Sequence, residues 1–286
     1  MKKLVILLIG VVLFASGCTN DSYVMQIDKD NNISVAETIS FDKTMMASNM
    51  GILSGFGMDE ASLKQYTEKL KSDIMDSLTK TRAIETFDVK PLDNDKQFGF
   101  IQEKQNIPIE NFKNDYLMLG MTSVEEKPIM IKNGLFQDNY KIHLKYSFKK
   151  AYIEEQKKSQ ELDNQQVTSS EDTDVTFKDN GDGSYTVISN ANNGGYGQIN
   201  SNITLPNQDI KFTIKTSSKV KKNNATNINN NEYQWDLFKL NDDVDIYLEY
   251  NSLSKTFGVK VTIATLLLVL ILLFLVYKKS SEDTYL

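Results

Sequence analysis

The two side chains that carry most nucleophilic and acid–base chemistry occur once each in this chain, as Cys18 and His143. A catalytic Ser or Cys generally needs a base beside it. His143 stands between Lys141 and Lys145, on the polar face of an alternating run, and is expected to be solvated. A lone cysteine allows neither an intrachain disulfide nor a multi-cysteine metal site, and no His/Cys cluster suggests zinc. Asp28, Asp30 and Asn32 have the spacing of the first ligands of a calcium loop. That loop needs Gly at its sixth position and Glu at its twelfth, where Ile33 and Ile39 stand. Gly194-Gly195-Tyr196-Gly197 lacks the lysine and the following helix of a phosphate loop. With 38 acidic residues, carboxylate pairs arise somewhere whatever the function. The expectation is a chain that is not an enzyme and uses no cofactor and no metal.

The ends of the chain are more informative. Lys2 and Lys3 precede an apolar run over 4–14, then the small residues Ala15, Ser16 and Gly17, then Cys18. This is the layout of an export signal, too short to span a bilayer, which takes about 20 residues. Phe14-Ala15-Ser16-Gly17-Cys18 resembles the lipobox of bacterial lipoproteins, with Ala15 where Leu is commonest. That resemblance implies a diacylglyceryl group on the Cys18 sulfur and cleavage between Gly17 and Cys18. At the other end, residues 261–277 read VTIATLLLVLILLFLVY without a charge. At about 1.5 Å per residue this is roughly 26 Å, close to the hydrocarbon thickness. Phe257, Gly258 and Val259 extend it if Lys260 snorkels to the interface. Lys278 and Lys279 follow, so the positive-inside rule puts the tail in the cytoplasm.

The expected organisation is therefore a signal peptide over 1–17, an extracytoplasmic domain over 18–256, a transmembrane helix over 257–277 and a cytoplasmic tail over 278–286. The whole chain has a formal net charge of −6. The exported part is more acidic still, because five lysines but only Glu282 and Asp283 lie in the terminal segments. Such a surface disfavours nucleic acid and anionic headgroups.

Within the domain, runs over 23–27 and 33–41 flank the polar cluster Asp28-Lys29-Asp30-Asn31-Asn32, which predicts a β-hairpin. In the second run Ile33, Val35, Glu37, Ile39 and Phe41 share a face. Residues 44–58 read TMMASNMGILSGFGM, apolar and free of charge. Asp59 is a helix N-cap candidate, and Leu63, Tyr66, Leu70, Ile74 and Leu78 recur at helical spacing, predicting a long amphipathic helix. Strands are expected around 84–89, 98–102, 128–131 and 140–148, with a helical turn near 110–117. In the run over 140–148, Ile142, Leu144, Tyr146 and Phe148 alternate on one face. A Lys/Glu/Gln-rich stretch and an Asn/Gly-rich loop make 155–202 a flexible insert, interrupted by the turn signal Asp179-Asn180-Gly181-Asp182-Gly183. Ile210, Phe212 and Ile214 alternate, and a last hairpin is expected to pair Tyr233, Trp235 and Leu237 with Val244, Ile246, Leu248 and Tyr250. The fold class is α+β, with an antiparallel sheet, one long amphipathic helix and a single C-terminal transmembrane helix.

This order of parts resembles the LppM-type lipoproteins, a bacterial family with a lipobox, an α+β domain and a C-terminal transmembrane helix. The matching stretches are YVMQIDKDNNISVAETISFDK, FGFIQEKQNIPIENF and the run from Ile203 to Tyr250, with Pro206-Asn207 where members carry Pro-Gly and Trp235 matching their Trp. The resemblance implies a curved sheet able to hold apolar ligands and a role in lipid or envelope biology. The expectation is a lipid-anchored, single-pass, non-catalytic protein of the cell membrane that binds an apolar ligand or lipid. The alternative is a structural or accessory interaction subunit of an envelope assembly, with an envelope protein as partner. The Met-rich segment is either a loop or short helix packed under the sheet or a candidate ligand flap, through Met45, Met46, Met50, Phe56 and Met58. Methionine adapts to varied apolar partners, and Gly51, Gly55 and Gly57 leave the backbone free to move.

Overall fold

The computed structural model describes residues 19–43, 60–162, 174–191, 199–254 and 257–282. Gly17 and Cys18 lie outside the described residues, as do Met45, Met46, Met50, Phe56 and Met58.

The first hairpin forms as the alternation predicts, from β1 (Thr19–Ile27) and β2 (Asn32–Asp42), paired from Thr19↔Phe41 to Ile27↔Ile33. Its turn is closed by Asp28, whose Oδ1 accepts from the backbone N–H of Asp30 at 2.9 Å and of Asn32 at 2.7 Å. Asp28 of the calcium-like trio thus serves as a turn staple, with Asn31 in the left-handed conformation at φ 57°. Helix α1 (Glu60–Arg82) follows, then β3 (Asp88–Asp93) and β4 (Gln97–Pro108). Of the apolar stripe expected on α1, Leu78 is buried; the side chains of Leu63, Tyr66, Leu70 and Ile74 lie outside the described residues. The expected strand over 84–89 begins only at Asp88, because Phe87 closes a turn on Ile84 O.

Two 3-10 turns, Ile109–Asn111 and Asn114–Tyr116, stand where a helical turn was expected. They lead to β5 (Met121–Ser123), β6 (Ile129–Lys132) and β7 (Gln137–Tyr146). Ile142, Leu144 and Tyr146 are buried on one face of β7, but Phe148 opens helix α2 (Phe148–Leu162) instead of ending the strand. The remaining strands are β8 (Asp174–Asp179), β9 (Ser184–Ala191), β10 (Ile199–Pro206), β11 (Asp209–Thr216), β12 (Lys219–Asn223), β13 (Asn227–Asn229), β14 (Glu232–Asp236) and β15 (Val244–Leu253). The described chain closes on α3 (Phe257–Glu282), which runs on past Lys278 and Lys279.

The α+β expectation holds, with the strands divided among three mostly antiparallel sheets. One has the order β13-β14-β11-β1-β2-β4-β3, a second β12-β15-β7-β5 with β6 also on β7, and a third β10-β9-β8. The pair β1–β11 is parallel, in register from Asn20↔Asp209 to Ile27↔Thr216. The stretch 155–202 contributes the end of α2, β8, β9 and the start of β10. Val175, Phe177, Tyr185 and Val187 of this third sheet are buried in the main core, where Phe148 packs against Phe177 and Tyr185.

The expected hairpin of residues 233–237 with 244–250 does not form. β14 pairs with β11 and β13 in the first sheet, whereas β15 pairs with β7 and β12 in the second. The connection between them crosses from one sheet to the other. Both strands bury their apolar faces in one shared cluster, Trp235 and Leu237 from one side and Ile246 and Leu248 from the other. Alternation fixes which face is buried but not which strand supplies the backbone partner.

Candidate functional site

The inward face of β2 is apolar at Ile33, Val35, Ile39 and Phe41 and carboxylic at Glu37. This one acidic position marks a boundary. Ile33 and Val35 belong to the main core, while Ile39 and Phe41 belong to a smaller cluster with Phe98, Phe100 and Leu78 of α1. Strand register carries the boundary sideways, since Glu37 lies opposite Gln102 of β4 and Tyr23 of β1, with Asp21 two residues along β1 on the same face. A polar band therefore separates two apolar compartments.

Arg82, the last residue of α1 and the only arginine in the chain, enters this band. Its Nη2 donates to Asp21 and lies 3.4 Å from Glu37 Oε1, and its Nη1 donates to Glu155 Oε2 of α2 at 3.3 Å. The guanidinium side chain is 12 % exposed and that of Glu37 2 %. Gln102 completes the arrangement and caps the helix. Its Oε1 accepts from the Ile84 N–H at 2.7 Å, and its Nε2 donates to the Arg82 carbonyl at 3.1 Å and to Glu37. One cation thus ties β1, β2, α1 and α2 together. Arginine suits this position because its planar fork reaches several carboxylates at once and holds its charge when buried.

Three carboxylates surround this single cation, so the charges do not balance. Burial pushes the Glu37 carboxyl up to about 7, and the neighbouring Asp21 adds to the rise while Arg82 opposes it. Burial also raises Asp21 and Glu155, against the lowering pull of Arg82. The Asp21 carboxylate keeps one oxygen, Oδ1, without a hydrogen-bond partner. Protonation of Glu37 relieves its repulsion with Asp21.

A pH dependence follows, with its sign fixed by the direction of the shift. The folded Glu37 carboxyl lies above its ordinary value of 4.5. Its contribution to stability is fully present below that value and is lost as pH rises through about 7. Thermal melts followed by the fluorescence of Trp235, the one tryptophan, are expected to show a melting temperature that falls over this window. Glu37→Met removes the titrating group while Arg82 keeps Asp21 and Glu155. The part of the slope near neutrality is expected to flatten, and an unchanged slope would refute the assignment.

His143 is only partly solvated, against the expectation. Its ring sits on β7 with Nε2 2.9 Å from Asp245 Oδ1 and Nδ1 3.6 Å from Glu125 Oε1, its edge toward Tyr247, and 22 % of its side chain exposed. The cause is the strand register, which lays Lys141, His143 and Lys145 beside Glu249, Tyr247 and Asp245. The polar face of the second sheet is thus a ladder of complementary charges. Both ring nitrogens face carboxylates.

Arg82, Asp21, Gln102 and Glu155 are not among the candidates that the sequence offers, and Glu37 appears there only as a face position. Two signals were available: a charged residue in the middle of the apolar face of β2, and a single arginine in a lysine-rich chain. The remaining partners come from elements far apart along the chain. The candidates Gly17, Cys18 and the Met-rich residues fall outside the described residues, and among the described residues no group of His, Cys, Asp and Glu is arranged to hold a metal ion.

These features define an α+β protein with one C-terminal helix, Phe257–Phe274, long and apolar enough to cross a membrane. No family model matches the chain, and no curated protein matches it. The chain is similar in structure to the folded domain of the Mycobacterium tuberculosis LppM protein, solved by NMR. That likeness covers 85 % of this chain and 95 % of that one, at a TM-score of 0.35 and 9 % sequence identity.

Proposed function

We propose that the chain is an envelope lipoprotein of the LppM type, non-catalytic, which binds an apolar ligand or lipid close to the membrane. It is anchored by a diacylglyceryl group on Cys18 and by α3, with the domain outside and the tail from Lys278 in the cytoplasm. Two acyl chains already anchor a protein stably, so α3 serves to place the domain. The ligand lies on a curved part of the first sheet, over Ile39, Phe41, Phe98 and Phe100, beneath the amphipathic helix α1 and under a flap made by the Met-rich segment.

The observation that carries this reading is where that segment leaves and rejoins the fold. It departs after Phe41 and Lys43, beside the smaller apolar cluster, and returns at the start of α1, whose Met75 and Leu78 pack on the same cluster. Asp93 holds Lys43 at 2.6 Å and Lys71 of α1 at 2.5 Å, clamping the strand end to the helix. Polarizable, unbranched side chains on a glycine-rich segment suit a cover over a variable apolar ligand.

The test uses full-length protein in vesicles containing a phospholipid with a photoactivatable acyl chain. Cross-links are expected in peptides spanning residues 39–58 and 75–100 as well as in α3. Changing Met45, Met50 and Phe56 to Ser is expected to remove the former while leaving the melting temperature near that of the parent. Labelling confined to α3 would refute the ligand site. A collapsed fold in the triple variant would make the segment part of the core.

A further inference from the structure

Among the described residues of the domain few large apolar side chains stay in solvent, and three of them meet at the base of α3. Leu135 is 65 % exposed, Phe136 59 % and Leu253 61 %. Leu135 and Phe136 form the tip between β6 and β7, and Leu253 ends β15. The strand pairing joins them, since Gln137 lies opposite Leu253 and the Ser254 N–H donates to Phe136 O at 3.1 Å.

This edge is fastened to the first turn of the apolar helix. The Phe136 and Phe257 rings pack with centroids 6.0 Å apart. Lys260 turns its ammonium back to the base of the helix, where Nζ donates to Gly134 O at 2.7 Å and to Ser254 Oγ at 3.0 Å. Gly134 shapes the tip, because a Cβ there would lie 2.1 Å from the Gln137 carbonyl oxygen. The tip is held at the level of Phe257, where the apolar span begins.

We propose that Leu135, Phe136 and Leu253 insert into the outer leaflet beside α3, so that the domain lies against the bilayer in one fixed orientation. This rests on α3 spanning the membrane and goes beyond the ligand site proposed above, which sits on another sheet. The occupant is lipid because the patch is continuous with a helix that is exposed from Val261 to Phe274 and there meets the acyl chains. Apolar rings and branched chains at the rim of a span partition to the interface. Exposed Lys132, beside the tip, reaches the phosphates. Insertion by apolar side chains also suits a domain whose net charge is acidic and gains little from headgroup attraction.

The test uses full-length protein with Cys18→Ser, so that an introduced cysteine is the sole thiol, in phosphatidylcholine–phosphatidylglycerol vesicles. An environment-sensitive fluorophore is placed at Leu135→Cys, at Asp182→Cys in the exposed β8–β9 turn, and at Ile271→Cys within α3. Emission of Trp235 checks the fold of each variant. The Leu135 label is expected to shift to the blue, to lose most of its emission to acyl-chain quenchers placed near the headgroup, and to resist iodide. The Asp182 label is expected to behave oppositely. A Leu135 label open to iodide, or one shielded from both iodide and lipid quenchers by protein, overturns the proposal. The Ile271 label reports separately on whether α3 spans.

Discussion

Arg82→Leu is expected to destabilise the folded protein by about 3–5 kcal/mol near neutral pH, the range for removing one partner of a buried ionic group. The cost comes from what remains. Asp21, Glu37 and Glu155 are three buried carboxylates, and in the variant they lose the one guanidinium they share. Each is already raised by burial and is lowered by Arg82 and by the hydrogen bonds of the band, with Lys158 adding to the lowering of Glu155. Without the guanidinium the folded state must take up protons or admit water. Groups whose folded values are raised stabilise at low pH and lose that contribution as pH rises, so the penalty is expected to shrink in acid. Melting of the full-length protein in detergent, followed by Trp235 emission at pH 5 and pH 8, reads both effects. Arg82→Lys keeps a charge but loses the planar fork, and is expected to fall between the two. A Leu variant with a penalty independent of pH would mean that the loss is one of packing alone.

How far this arrangement could be read from the chain differs by element. The β1–β2 hairpin, the alternation of β7 and β11, and the apolar run of α3 are all local patterns, and the structure places them close to where the residues predict. Pairing was less legible. β14 and β15 are neighbours in sequence, both alternate, and Asn241-Asp242-Asp243 between them has turn chemistry, yet they belong to different sheets. Likewise nothing local to Asn20 announces a parallel partner at Asp209. Periodicity reports burial, and long-range pairing depends on which buried faces fill one core. The charged band shows the same division. Glu37 is visible as an anomaly in a run of five inward positions. Its meaning depends on Arg82, Gln102 and Glu155, which the fold alone brings together. His143 was misread for a related reason: its lysine neighbours along the strand suggest solvent, but the carboxylates that cover it come from β15 and from the chain after β5.

The inter-sheet crossing gives the other large expected effect, at Trp235. This side chain is buried on β14 beside Phe212, ring centroids 5.8 Å apart, and it shares the main core with Ile246 and Leu248 of β15. Its indole Nε1–H donates to Asn224 Oδ1 at 2.8 Å. The same oxygen accepts from the Tyr247 N–H at 2.8 Å, while Asn224 Nδ2 donates to the Asp245 carbonyl at 2.9 Å. Asn224 therefore couples the tryptophan of the first sheet to the backbone of the second. Trp235→Ala is expected to cost about 3–5 kcal/mol, the range for emptying a large aromatic site in a packed core. Trp235→Phe keeps most of the volume and loses the indole donor. Asn224 Oδ1 still has the Tyr247 N–H, so no acceptor is orphaned and the expected cost is about 1 kcal/mol. Since both variants lack the tryptophan, far-UV circular dichroism of the full-length protein follows their melting. The contrast between them separates core volume from the polar link. If Phe proved as damaging as Ala, the hydrogen bond through Asn224, and not the packing of the ring, would be what joins the two sheets.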